Sequence, residues 1–231
     1  MTRSDMELRN QYLDTMGIQV WSRRGQTEVP AIENVPMVPE EFESGAIQDW
    51  KRLEYQVSGC TGCALHESRT NTVFGVGNQD ASLLIIGEAP GAEEDSRGEP
   101  FVGRVGALLD QMLLALKLDR SRVFIANVLK CRPPGNRDPR PEETRSCLPY
   151  LNRQIALIKP SVVLIAGRVA AQALLDTEVS VGKLRGKLHH VGERVPAVVT
   201  YHPAYLLRQP LEKRKAWQDL CLAAQILKVD D

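Results

Sequence analysis

Four cysteines constrain this chain more than any other feature: Cys60 and Cys63 form a CxxC turn, and Cys131 and Cys147 stand alone far downstream. CxxC presents two thiolates from one tight turn, whereas the lone cysteines reach the same point only after the chain has folded back on itself. The fold must therefore gather separated segments, and whatever the sulfurs hold staples them together. Cys221 is left over. An odd cysteine count with no secretory segment argues against a disulfide framework and for thiolate ligands in a reducing compartment. On their own the cysteines suit tetrahedral zinc as well as an iron-sulfur cluster.

Four short, almost wholly apolar runs supply the frame: LLIIG (83–87), VFIAN (123–127), VVLIA (162–166) and AVVTY (197–201). Runs of that length and composition are expected for parallel strands buried on both faces. Helical periodicity lies between and after them, at 103–116, 142–158, 169–175 and 217–227. The pattern predicts a three-layer α/β/α domain around a central, mostly parallel four-stranded sheet. In such sheets ligands bind outside the carboxyl ends of the strands. No apolar run is long enough to span a bilayer, so no membrane partner is expected and the protein reads as soluble and cytoplasmic.

Charge divides the chain further. The net charge is zero, but residues 25–50 carry Glu28, Glu33, Glu40, Glu41, Glu43 and Asp49 with no lysine or arginine. With Pro30, Pro36 and Pro39 among the acids, this stretch reads as an extended linker. Residues 1–24 before it form a short amphipathic segment with no core of its own, suited either to folding onto the neighbouring domain or to docking on a partner. Residues 51–231 form the folded domain and hold a modest basic surplus, compatible with a polyanion.

Two motifs fall at predicted strand ends. GEAPGAEED (87–95) lacks the Lys-Ser/Thr of a P-loop and the three glycines of a dinucleotide fingerprint. It places Glu88 directly after a strand, too early for a helix-dipole role. Glu93 and Asp95 are equally explained as acids favoured at a helix N-terminus. In HPAYLLR (202–208), His202 follows the last strand and Pro203 fixes the turn, aiming the imidazole at the cleft. Leu206 and Leu207 beside Arg208, on an expected exposed loop, suit a wedge entering a base stack with a phosphate contact alongside; packing beneath the loop is the other reading.

Taken together, GEAPGAEED, GEPFVGRVGALLD (98–110), NVLKCRPPGNRDPRPEE (127–143), the four cysteines and YHPAYLLR resemble the family 4, iron-sulfur class of uracil-DNA glycosylases over about residues 51–228. The resemblance implies hydrolysis of the N-glycosidic bond of uracil in DNA without strand cleavage. It implies a structural 4Fe-4S cluster on Cys60, Cys63, Cys131 and Cys147. Gly87, Ala89, Pro90 and Gly91 are expected to wall the substrate pocket, with Phe101 stacking on the uracil ring and Asn127 reading its edge through one donor and one acceptor. Glu94 matches the position that crowds the thymine methyl, and His202 the residue at uracil O2, where charge develops. Glu88 matches the carboxylate that assists at the sugar or the water. Arg208, with Lys183, Arg185 and Lys187 in an expected loop, VGKLRGKLHH (181–190), is expected to contact the DNA backbone.

The N-terminal segment resembles something else. Residues 10–25 (NQYLDTMGIQVWSRRG) are similar to the N-terminal peptide of the psi subunit of bacterial DNA polymerase III, with Leu13, Met16, Ile18 and Trp21 in the matching order. That implies docking to the clamp loader, with the linker raising the local concentration of the domain. A rival reading makes the protein a clamp-loader accessory subunit that keeps a catalytically silent glycosylase-like domain as a scaffold.

Overall fold

Each of the four apolar runs forms a strand, and together they build the centre of the sheet. In the computed structural model, which describes residues 46–192 and 194–227, the elements run α1 (Ala46–Ser58), β1 (Val76–Gly77), β2 (Leu83–Gly87), α2 (Ala92–Arg97), α3 (Gly103–Leu114), β3 (Val123–Asn127) and α4 (Pro141–Ile158). They continue with β4 (Val162–Ala166), α5 (Arg168–Leu175), α6 (Val181–Leu184), β5 (Leu188–Val191), β6 (Val195–Thr200), α7 (Pro203–Arg208) and α8 (Lys213–Leu227). The strand order is β1-β3-β2-β4-β6-β5. The four inner strands are parallel and buried, while β1 and β5 pair antiparallel at the two edges.

Alternation along the inner strands divides the core into two layers. Leu84, Ile86, Phe124, Ala126, Val163, Ile165, Ala197 and Val199 face α1, α4 and α5. Leu83, Ile85, Val123, Ile125, Val162, Leu164 and Val198 face α3, α7 and α8. The register sets Gly87 beside Asn127 and Ala166 beside Thr200. The carboxyl ends of all four inner strands therefore share one edge.

Four expectations need correction. The sheet has six strands, not four. The linker does not extend to residue 50, because α1 begins at Ala46 and Trp50 is buried, edge-on to Phe74 and Phe124 at centroid separations of 5.2 and 5.1 Å. Residues 181–191 form a short helix and an edge strand instead of a loop. The HPAYLLR run is helical from Pro203, with His202 as its cap. Leu13, Met16, Ile18 and Trp21 lie outside the described residues.

No helix among the described residues is long and apolar enough to cross a membrane.

Candidate active site and four-cysteine centre

At the carboxyl edge of the sheet opens a cleft of about 760 Å³, with Glu88, Ala89, Pro90, Gly91, Glu94, Tyr201, His202 and Arg208 in its walls. Glu88 follows β2 directly and is half-buried. Burial raises its pKa, Asp138 raises it further, and Arg168 lowers it. Asp138 and Arg168 pair across the cleft wall at 2.6 Å, and neither was singled out in the sequence. Glu94 lines the cleft and also accepts a hydrogen bond from the Gly91 amide at 2.9 Å, capping α2. Asp95 does not face the cleft: its buried carboxylate accepts the Thr70 and Asn71 amides at 2.9 and 3.4 Å.

His202 caps α7, its Nδ1 accepting the Ala204 amide at 3.1 Å. A backbone N–H can only donate, so the neutral ring carries its proton on Nε2. Burial, with a smaller contribution from Arg208, pushes its pKa down to about 4. Gly167, at φ 98°, lets the β4–α5 turn pass beneath the ring; a Cβ there would meet the His202 Cβ at 3.0 Å.

Phe101 and Asn127 lie deeper, only 2% and 3% exposed, and both press on Gly87. The Phe101 and His202 rings stack with centroids 5.2 Å apart. A base between two rings needs about 7 Å, twice the ~3.5 Å carbon–carbon contact, so no base fits between this pair. Phe101 has a left-handed backbone, φ 52°, which is costly for a residue with a side chain. Arg120 holds it by donating to the carbonyl oxygens of Phe101 and, at 3.3 Å, Pro100, while its Nε donates to Asp110 at 2.6 Å. No sequence motif announces Arg120, because its reach depends on how α3 packs.

Two proposed DNA contacts are displaced. Leu206 is 1% exposed and packs in the core beneath α7, so it is not a free wedge; Leu207 is half-exposed and Arg208 exposed. Arg185 is bound to the fully buried Asp219, with Nε and Nη2 donating at 3.0 and 2.9 Å, and its guanidinium lies 5.9 Å from the Tyr201 ring centroid. It is therefore a structural ion pair and not a free phosphate contact. Lys183 and Lys187 are exposed.

The four cysteines converge on a separate cavity. Cys60 and Cys63 follow α1, Cys131 follows β3 and Cys147 lies on α4, and all four line one small cavity of about 10 Å³. Amide and guanidinium donors point at the sulfurs: Gly62 N to Cys60 at 3.4 Å, Arg69 to Cys131 at 3.2 Å and Lys130 N to Cys147 at 3.2 Å. Burial pushes the Cys147 pKa up to about 11 and raises that of Cys131; a metal group would have to displace those protons. Among the described residues no three His, Cys, Asp or Glu side chains are grouped to hold a single metal ion. All four thiols line one cavity, a donor set that suits tetrahedral zinc and a four-thiolate iron-sulfur cluster alike.

Comparison with known proteins bears on the same region. Residues 74–221 match the uracil DNA glycosylase superfamily. The chain is 47% identical over 162 residues to a type-4 uracil-DNA glycosylase of Archaeoglobus fulgidus, covering 67% of this chain and 81% of that protein. It is 41% identical over 181 residues to a type-4 enzyme of Pyrobaculum aerophilum, covering 75% and 92% of the two chains, and 45% identical over 155 residues to one of Thermotoga maritima, covering 66% and 80%. The superfamily match does not extend to the N-terminal peptide. With strand ends that converge on a carboxylate, a ring, an amide and an imidazole, the chain belongs to the uracil-DNA glycosylase superfamily, among relatives of type 4.

Proposed function

We propose that the protein hydrolyses the N-glycosidic bond of uracil in DNA, and that the geometry of His202 carries this reading. Its ring is neutral at pH 7, and its one free proton sits on Nε2 at the cleft. As the C1′–N1 bond breaks, the bonding electrons move onto the base and negative charge collects on O2. A fixed neutral donor at O2 stabilises that charge without first giving up a proton. Asn127 offers a donor and an acceptor to the edge of the base, and Phe101 supplies an apolar face. Glu88 faces the site where the sugar becomes cationic, and as a carboxylate it either stabilises that cation or orients the water that adds at C1′. The water loses a proton, uracil takes one up, and an abasic site remains.

The sulfurs of Cys60, Cys63, Cys131 and Cys147 would hold a 4Fe-4S cluster. When bound, it supplies a four-point crosslink between α1, the end of β3 and α4. The uracil must leave the helix at a cost of a few kcal/mol, and Leu207 with Arg208 is the exposed pair that remains to offset it. The silent-scaffold reading draws no support from the relatives named above, and a clamp-loader partner rests only on the N-terminal resemblance.

The deciding experiment measures uracil release from uracil-containing DNA by freshly purified protein, with iron and sulfide quantified in the same sample. Activity is expected in the wild type and should be lost in His202→Ala and Asn127→Ala. A fully iron-loaded wild type that releases no uracil would overturn the assignment.

A further inference from the structure

Lys130 is a full-length cationic side chain sealed in the core, 1% exposed. It forms no ion pair with a carboxylate among the described residues. Its Nζ donates to the carbonyl oxygen of Asn127 at 2.9 Å and to Gln154 Oε1 at 2.6 Å. Gln154 is itself fixed, because its Nε2 donates to the Phe74 carbonyl at 3.0 Å. A buried ammonium is costly unless it is paired, and the charges nearest this one are the thiols of the cysteine cavity that Lys130 also lines. Packing alone therefore does not account for a lysine here.

Its position does. Lys130 lies three residues beyond Asn127, and its main-chain amide donates to Cys147 Sγ at 3.2 Å. The intervening residues are pinned to the catalytic strand end, Val128 N donating to Gly87 O at 3.0 Å and Leu129 N to Glu88 O at 3.1 Å. We propose that Lys130 is a positioning residue for base recognition: its ammonium clamps the Asn127 main chain so that the amide stays aimed at uracil, and its own main chain ties that clamp to the four-cysteine centre. The inference rests on Asn127 reading the base, as argued above. Lys130 touches no substrate itself.

The test is Lys130→Met in the full chain, read by free-uracil binding, by kcat and KM on uracil-containing DNA, by affinity for uracil-free duplex and by thermal melting. Loss of one oriented contact predicts roughly tenfold weaker uracil binding and a matching fall in kcat/KM. Binding to uracil-free duplex should not change. Leu113→Ala, a core change on α3, controls for simple destabilisation and should lower Tm while uracil binding stays at the wild-type level. If Lys130→Met does not fold, Gln154→Met leaves the ammonium one acceptor and should weaken uracil binding in the same direction by a smaller factor. A folded variant of either kind that binds uracil as the wild type does overturns the clamp. An inactive, iron-loaded wild type would instead overturn the glycosylase assignment itself, so the two failures are distinguishable.

Discussion

Gly87→Ala tests whether Phe101 and Asn127 form one base site. A Cβ built at Gly87 falls inside van der Waals contact of Asn127 Oδ1 and lies 2.5 and 2.7 Å from Phe101 Cζ and Cε2. Carbon contacts settle near 3.5 Å, so the ring must retreat by about 1 Å, and the amide must move as well. The backbone cannot yield instead, because Gly87 pairs with Asn127 in the sheet and accepts the Val128 amide at 3.0 Å. Overpacking of this kind costs about 1–3 kcal/mol of stability. A displacement of 1 Å at groups that position a substrate costs about 100-fold in rate, or about 2.7 kcal/mol at 1.36 kcal/mol per tenfold. Gly91→Ala in the same motif is the comparator: its Cβ meets only Glu94 Oε2, at 2.7 Å, the movable end of a flexible side chain. Single-turnover uracil release with melting curves on both variants should show a loss of about 100-fold for Gly87→Ala and a much smaller one for Gly91→Ala. Were folded Gly87→Ala to cleave within threefold of wild type, the reasoning that places base recognition at this strand end would be wrong.

Two further outcomes separate the groups around the cleft. Leu206→Ala should cost about 2–5 kcal/mol of stability while the folded protein keeps its kcat/KM; Leu207→Ala should leave Tm near wild type and slow release from duplex DNA roughly tenfold, since unstacking costs a few kcal/mol. The reverse pattern in melting and duplex cleavage would restore Leu206 as the wedge. With pH, activity should fall on the acid side as Glu88 takes up its proton, and because burial and Asp138 raise that pKa the fall should begin above the ordinary value of 4.5. His202, held neutral down to about pH 4, should add no step near 6.5, and a limb there that persisted in an active Glu88→Gln variant would contradict the neutral-imidazole donor.

The inner strands were legible because each is a five- or six-residue apolar run, and burial on both faces leaves no other composition open to them. The edge strands were not. Val76–Gly77 has two residues, and Leu188–Val191 reads LHHV with only its last residue buried. Both exist because a neighbouring strand offers a free ladder, which is a tertiary cause. The α7 segment carried readable signals, a capping residue followed by proline at the first helical position, yet adjacent leucines look alike in sequence. Which one is buried depends on the helical phase that turns Leu206 into the core shared with α3. The site divides the same way. Glu88, Asn127 and His202 follow from strand ends and topology, whereas Arg120, Lys130 and the Asp138–Arg168 pair join parts of the chain whose proximity only packing sets.

That packing gives the four-cysteine centre its bearing on the cleft. Arg69 donates to Cys131 Sγ at 3.2 Å and to the Cys60 carbonyl at 2.7 Å, and the next two residues, Thr70 and Asn71, give their amides to buried Asp95 on α2. Asn71 Nδ2 returns to the Asp95 carbonyl at 2.9 Å. The wall that carries Glu94 is thus held from the cysteine side. Lys130 likewise holds the Asn127 main chain, at the end of β3, while its own amide meets Cys147. A carboxylate and an ammonium buried without solvent are stable only while every partner stays in place, so movement of the cysteine segments would be felt at α2 and at Asn127 together. Arg69 and Lys130 thus tie the cysteine segments to α2, which carries Glu94, and to Asn127 at the end of β3.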